Sequence, residues 1–107
     1  MNYLFICSRN QWRSPTAEHV FPKGYGCRTR SAGTSAQAKR KITASDIAWA
    51  DVTFVMEHKH KQRIKADFAK PCQFKTIVVL DIPDDYHYMD AALIELLQQS
   101  IQPYLNQ

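Results

Sequence analysis

A short apolar run that breaks into a polar loop constrains this chain more than any other feature. Asn2 to Ile6 carry Tyr, Leu, Phe and Ile in succession. Cys7-Ser8-Arg9-Asn10-Gln11-Trp12-Arg13 then show no apolar periodicity, and Ser14-Pro15-Thr16-Ala17-Glu18 opens a helix. A Ser before a Pro at the first helical position, with Glu following in the first turn, is N-terminal helix chemistry. The helix is expected to run to Phe21 and to stop before Pro22 and Gly24. A strand that hands over to a helix through a polar loop starts a parallel β/α unit, and open sheets of that kind bind ligands at the C-terminal edge of their strands. The opening residues, MNYLFIC, lack a basic leader and so read as a buried strand instead of a signal peptide.

The rest of the chain keeps alternating. Cys27 to Ser31 is expected as a second strand ending at Ala32-Gly33, and Lys39 to Lys41 form a basic connection. Thr43 or Ser45 caps a short helix through Ala50. Asp51 to Met56 is a third strand by its β-branched and aromatic content. Ile64 and Phe68 at helical spacing predict a surface helix over His58 to Phe68, ending before Pro71. The unbroken apolar run Thr76 to Leu80 predicts a strand buried on both faces. Asp81 to His87 reads as a loop, and Leu93, Leu96, Leu97, Ile101 and Leu105 lie on one stripe of a closing helix over Ala91 to Leu105. Such alternation argues for an α/β fold, a single three-layer domain with a parallel sheet and helices on both faces. At 107 residues the chain holds one real core and not two, so residues 1–107 read as one domain.

Composition narrows the function classes. No apolar run reaches the roughly 20 residues that cross a bilayer, so no membrane partner is expected. The three cysteines, Cys7, Cys27 and Cys72, are odd in number and have no close pair, which argues against a disulfide framework or a zinc cluster. Free thiols fit a reducing, cytoplasmic setting in which one is available for chemistry; Cys27 and Cys72 read as core residues. His58 and His60 are two apart and do not share a helix face as an i, i+4 zinc pair does. No metal or cofactor is expected. The formal charge of +4 is concentrated at Arg28, Arg30, Lys39, Arg40, Lys41 and the run from His58 to Lys65. That surface attracts anions in general without selecting one. Nucleic acid is not the expected partner, because no aromatic-rich stacking platform accompanies the charge, but it stays open.

The polar loop carries the chemistry. Consecutive N–H groups in a tight turn form an anion nest, and the following helix adds its partial positive charge. Arg13 can offer a planar fork to two phosphate oxygens. Asn10 tolerates the left-handed backbone that such a turn demands. The same electropositive surroundings favour the thiolate of Cys7, the form that attacks phosphorus. Ser14 is placed to donate its hydroxyl to the sulfur.

These residues, Cys7-x2-Asn10-x2-Arg13-Ser14-Pro15-x-Ala17-Glu18, resemble the signature of the low-molecular-weight protein tyrosine phosphatases, in particular a short branch of that family. Ser31-Ala32-Gly33-Thr34-Ser35, Ile42-Thr43 with Asp46, Val55-Met56, and Ile82-Pro83-Asp84-Asp85-Tyr86 continue the resemblance over most of the chain. It implies a four-stranded parallel sheet flanked by helices, and a phosphomonoester hydrolase working through a cysteinyl-phosphate. On it, Cys7 is the nucleophile, Arg13 the phosphate clamp and Asp84 the proton donor to the leaving group. Ser8, Arg9, Asn10, Gln11, Trp12 and Ser14 complete the phosphate-binding loop, and Ser31 steadies Asn10 through a hydrogen bond. Phosphotyrosine protein is the implied substrate, and phosphate or sulfate is expected to occupy the loop.

Four departures from the family pattern bear on detail. Arg9 stands where the family carries glycine, adding charge and an expectation of backbone strain. Trp12 stands where many members carry a second cysteine; packing against the domain is favoured for it over lining the pocket mouth. The segment after Thr34 is short and lacks the family's slot-walling aromatic. Asp85 replaces proline, so Asp81, Asp84 and Asp85 fall within five residues. Asp84 is preferred over Asp85 as the acid, and Asp81 as the end of a strand. Tyr86 and Asp85 are candidate substrate contacts. Two rivals remain: an arsenate reductase-like enzyme, for which only Cys72 is available as a resolving thiol, and a non-catalytic module binding phosphate or RNA.

Overall fold

Four strands, β1 (Asn2–Cys7), β2 (Arg28–Gly33), β3 (Val52–Val55) and β4 (Thr76–Val79), form one sheet in the order β2-β1-β3-β4. Every pair is parallel. The computed structural model describes residues 1–21 and 26–105. Helices α1 (Arg13–Val20) and α5 (Ala91–Leu105) cover one face. Helices α2 (Ala44–Trp49), α3 (His58–Asp67) and the single turn α4 (Ala69–Cys72) cover the other. The α/β architecture expected from the alternation is therefore present, with helices on both faces.

The period-2 alternation of β1 feeds two cores at once. Tyr3, Phe5 and Cys7 join Ala17, Phe21, Phe54, Leu93, Leu97 and Ile101 on the α1/α5 side. Leu4 and Ile6 join Ile42, Ile47, Val55 and Ile64 on the other. Phe5 stacks between Phe21 and Phe54, at ring separations of 5.8 and 5.5 Å. The buried stripe of α5 is the one expected: Leu93, Leu97 and Ile101 are fully buried, and Leu96 and Leu105 pack at its margin.

Three expectations change. The run Thr76–Val79 forms the strand at the edge of the sheet and is only partly buried, since it pairs with β3 alone. Pro71 does not stop the helical region. It sits inside α4, where a first-turn proline forfeits no internal hydrogen bond. Helix α1 begins at Arg13, so Pro15 is its third residue and Ser14 does not cap it. Its end at Val20 is described; the expected stop signals Pro22 and Gly24 lie outside the described residues.

Candidate active site

β1 and its neighbour β3 lie where the chain's crossovers diverge to opposite faces, and Cys7 is the last residue of β1 at that C-terminal edge. The segment 8–12 must turn back into α1. Asn10 makes the turn, with φ of 55°, the left-handed conformation its short side chain tolerates. Arg9 does not share that backbone, so the strain expected from its replacement of glycine is not there. The carbonyls of Cys7, Ser8 and Arg9 accept from the N–H groups of Thr34, Ser35 and Lys39 at 2.9–3.0 Å. These three carbonyls are thus used by the scaffold, while no backbone bond draws on the N–H groups of residues 9–12 among the described residues, which leaves them available to an anion. Gly33 makes this docking possible. A Cβ there would lie 2.5 Å from the Ser8 carbonyl oxygen and 2.6 Å from the Ala38 Cβ.

Behind the loop a polar chain fixes its shape. The Asn10 amide donates to Ser14 Oγ at 3.0 Å and to Ser31 Oγ at 2.9 Å, and Ser31 donates onward to Glu18 Oε1 at 2.6 Å. Ser14 Oγ, already receiving that proton, is 2.9 Å from Cys7 Sγ. The Ser14 hydroxyl can donate to that sulfur or to the Ala32 carbonyl at 3.5 Å, and a thiolate formed on attack would accept from it. The hydroxyl that looked like a helix cap sits instead against the cysteine. Asn10, Ser14 and Ser31 are all buried and lie behind the cleft, not in its wall.

Arg13 is 2% exposed and is gripped from the side away from Cys7's own strand. Its Nη1 donates to Glu57 Oε2 and to the Ile82 carbonyl, each at 2.7 Å. Its Nε faces Asp84 Oδ1 at 3.7 Å. Burial pushes the Glu57 carboxyl up, but the Arg13 hydrogen bond and charge, with Lys59 and His60, outweigh it and hold it below the usual carboxylate range. One nitrogen of the guanidinium is thus committed to the scaffold, which orients the remainder of the fork.

Cys7, Ser8, Arg9, Gln11, Trp12, Arg13, Ser35 and Asp84 line a cleft of about 290 Å³. Trp12 belongs to its wall, with its ring edge-on to His87 at 4.9 Å, so the packing expectation gives way to the mouth of the cleft. Arg9 donates to Gln37 Oε1 at 3.0 Å. Asp85 is exposed and Tyr86 packs against the α1/α5 core; neither lines the cleft. Asp81, at φ of 57°, sits 3.9 Å from His58 in a solvated pair. Part of the basic charge is compensated from within. Arg30 and Arg40 both pair with the buried Asp46, and Arg40 donates to the Ser31 carbonyl as well.

No family model matches the sequence, and no curated protein matches it. Solved structures do match. The YwlE arginine phosphatase from Geobacillus stearothermophilus superposes with a TM-score of 0.79 at 20% identity, over 98% of this chain and 90% of that chain. Wzb of Vibrio vulnificus, in complex with benzylphosphonate, gives 0.78 at 21% identity, over 98% of this chain and 97% of that one. A low-molecular-weight protein tyrosine phosphatase from Streptococcus pyogenes gives 0.76 at 18%, over 98% and 91%. The fold is that of the low-molecular-weight phosphatases. The resemblance drawn from the loop and the Ile82–Tyr86 segment therefore extends to the whole backbone.

Within this fold, sequence reasoning missed Glu57 and the role of His60, and read Glu18 as part of the motif without its bond from Ser31. His60 was set aside as a zinc ligand, and among the described residues no group of three or more His, Cys, Asp or Glu side chains is arranged to hold a metal ion. It is 1% exposed, accepts from the Glu57 N–H at Nδ1 and contacts Ser8 Oγ at 2.8 Å through Nε2. The one available signal was the Glu57-x-x-His60 spacing at a helix start, which has the form of a capping box.

Proposed function

We propose that this chain is a cysteine-dependent phosphomonoester hydrolase, most suited to phosphotyrosine. One observation carries the reading. Cys7 Sγ, held 2.9 Å from the Ser14 hydroxyl, opens into the same cleft as its loop residues Ser8, Arg9, Gln11 and Trp12 and the clamped Arg13. In the first step the sulfur attacks phosphorus in line, the S–P bond forms as the P–O ester bond breaks, and Asp84 protonates the departing oxygen. In the second, Asp84 takes a proton from water as that water attacks phosphorus. Inorganic phosphate leaves and the thiolate returns. Arg13 and the loop N–H groups bind the equatorial oxygens in both transition states. The Trp12 wall favours an aromatic leaving group, and free phosphate or sulfate should occupy the loop, as the benzylphosphonate complex of Wzb suggests. A nucleophile that must stay a free thiol belongs in a reducing compartment, and the cytoplasm is our reading.

Cys72 argues against the reductase alternative. It lies just before β4 begins, at the edge of the parallel sheet opposite the end of β1. It is buried, and burial pushes its thiol up. A purely RNA-binding role has part of its charge offset by Asp46, which pairs with both Arg30 and Arg40.

The test is hydrolysis of p-nitrophenyl phosphate and phenyl phosphate between pH 5 and 7. Cys7→Ser should abolish turnover. Asp84→Asn should lower kcat about 100-fold on phenyl phosphate. The loss should be smaller on p-nitrophenyl phosphate, whose leaving group needs less protonation. Wild-type protein that turns over neither ester would sink the proposal. A crippled Asp85→Asn beside an unaffected Asp84→Asn would reassign the acid.

A further inference from the structure

The turn that joins β3 to α3 holds the phosphate loop at both ends. Glu57 takes Arg13 at the end of the loop, and His60 takes Ser8 at its start. The two are also tied to each other at the start of α3, the Glu57 N–H donating to His60 Nδ1 at 3.0 Å while the Glu57 carbonyl accepts from the His60 N–H at 3.0 Å. Because Nδ1 accepts, a neutral ring carries its proton on Nε2, and Nε2 therefore donates to Ser8 Oγ at 2.8 Å. Ser8 Oγ has received one proton and keeps its own. Among the described residues that O–H has no other partner, and Ser8 lines the cleft beside Cys7, Arg13 and Asp84.

We propose that His60 is a positioning residue that fixes the polarity of the Ser8 hydroxyl, turning it into a hydrogen-bond donor for the phosphoryl group in the cleft. A cap alone would need only Nδ1, and the bond from Nε2 reaches a residue 52 positions away, in the loop itself. The ring must stay neutral for this chain of donors to hold its direction. Burial first, then Arg13 and Lys59, drive its pKa down to about 4 against the opposing charges of Glu57 and Asp84. The arrangement thus survives through the weakly acidic range.

The proposal rests on the phosphatase reading, and the experiment separates the two. Steady-state kinetics on p-nitrophenyl phosphate are measured for Ser8→Ala, His60→Phe, the double variant and His60→Gln, with inorganic phosphate as competitive inhibitor. Each of the first two should lose about 10-fold in kcat/KM, the scale of one hydrogen bond to a charged group. The double variant should be no worse than the poorer single one, because both remove the same bond. His60→Gln, whose amide can accept from Glu57 and donate to Ser8, should recover most of the loss. Phosphate inhibition should weaken in parallel for Ser8→Ala. Multiplying losses in the double variant would overturn the proposal, and so would an unaffected Ser8→Ala. If His60→Phe does not fold, Ser8→Ala decides alone. If the wild-type protein shows no turnover, the phosphatase reading fails, and calorimetry of inorganic phosphate binding to wild-type and Ser8→Ala protein still tests the donor.

Discussion

Arg13 shows how one side chain divides its labour. Its Nη1 is taken twice, by Glu57 and by the Ile82 carbonyl, and what remains of the fork faces Asp84 and the cleft. A lysine has a single nitrogen, and Glu57 would capture it. Arg13→Lys should therefore lower kcat/KM by about 10²–10³, the scale of losing a preorganised oxyanion donor, while circular dichroism stays unchanged. A loss below tenfold would mean that Arg13 does not bind the transferring group. At this scale the sequence was legible where the contacts are local. Cys7, Asn10, Arg13 and Ser14 sit within one turn of chain, so their spacing encodes their meeting. Glu57, His60 and Ile82 meet the loop across separations of 44, 52 and 69 residues, which no local pattern records.

Elements carry the next level of control, and α2 is the clearest case. Thr43, not Ser45, is its cap, closed by a capping box with Asp46. Burial raises the Asp46 carboxyl, but Arg40 and Thr43 more than reverse this and hold it low. Arg40 in turn donates to the carbonyl of Ser31, the residue that receives Asn10, so α2 reaches the back of the loop through one arginine. Thr43→Ala should cost about 1 kcal/mol of stability, the usual cost of a lost cap, with little change in kcat. Asp46→Ala should cost more and lower activity too, since it frees Arg40; chemical denaturation beside kinetics reads both. Gly33→Ala should fail on both measures, because backbone stands where its Cβ would go. Helix and strand types were readable from periodicity. The position of β4 at the edge was not, because an apolar run looks the same whether a partner strand lies on one side or two.

At the scale of the whole molecule, folding gathers ionisable groups that titrate differently once the chain is open, and His60 dominates in weak acid. Its unfolded value near 6.5 drops to about 4 in the fold. Above pH 6.5 neither state binds the proton, and the group leaves stability untouched. Between 6.5 and 4 the unfolded chain takes up a proton that the folded protein refuses, so stability falls as pH falls, by up to about 3 kcal/mol. Below about 4 the folded ring protonates as well. Its Nδ1 can then no longer accept from Glu57, and this group's slope ends. Glu57 and Asp46, both held low, extend the loss further into acid. Their stabilisation is present above their unfolded values and disappears as pH passes down through the folded ones. Urea unfolding of wild-type and His60→Gln protein at pH 7.0, 6.0, 5.0 and 4.5 tests this directly. The wild-type protein should lose stability steadily from pH 6 downward, and the variant should lose less, so the gap between them narrows with acid. Parallel curves would mean that His60 is not the buried neutral ring on which the loop's first hydroxyl depends.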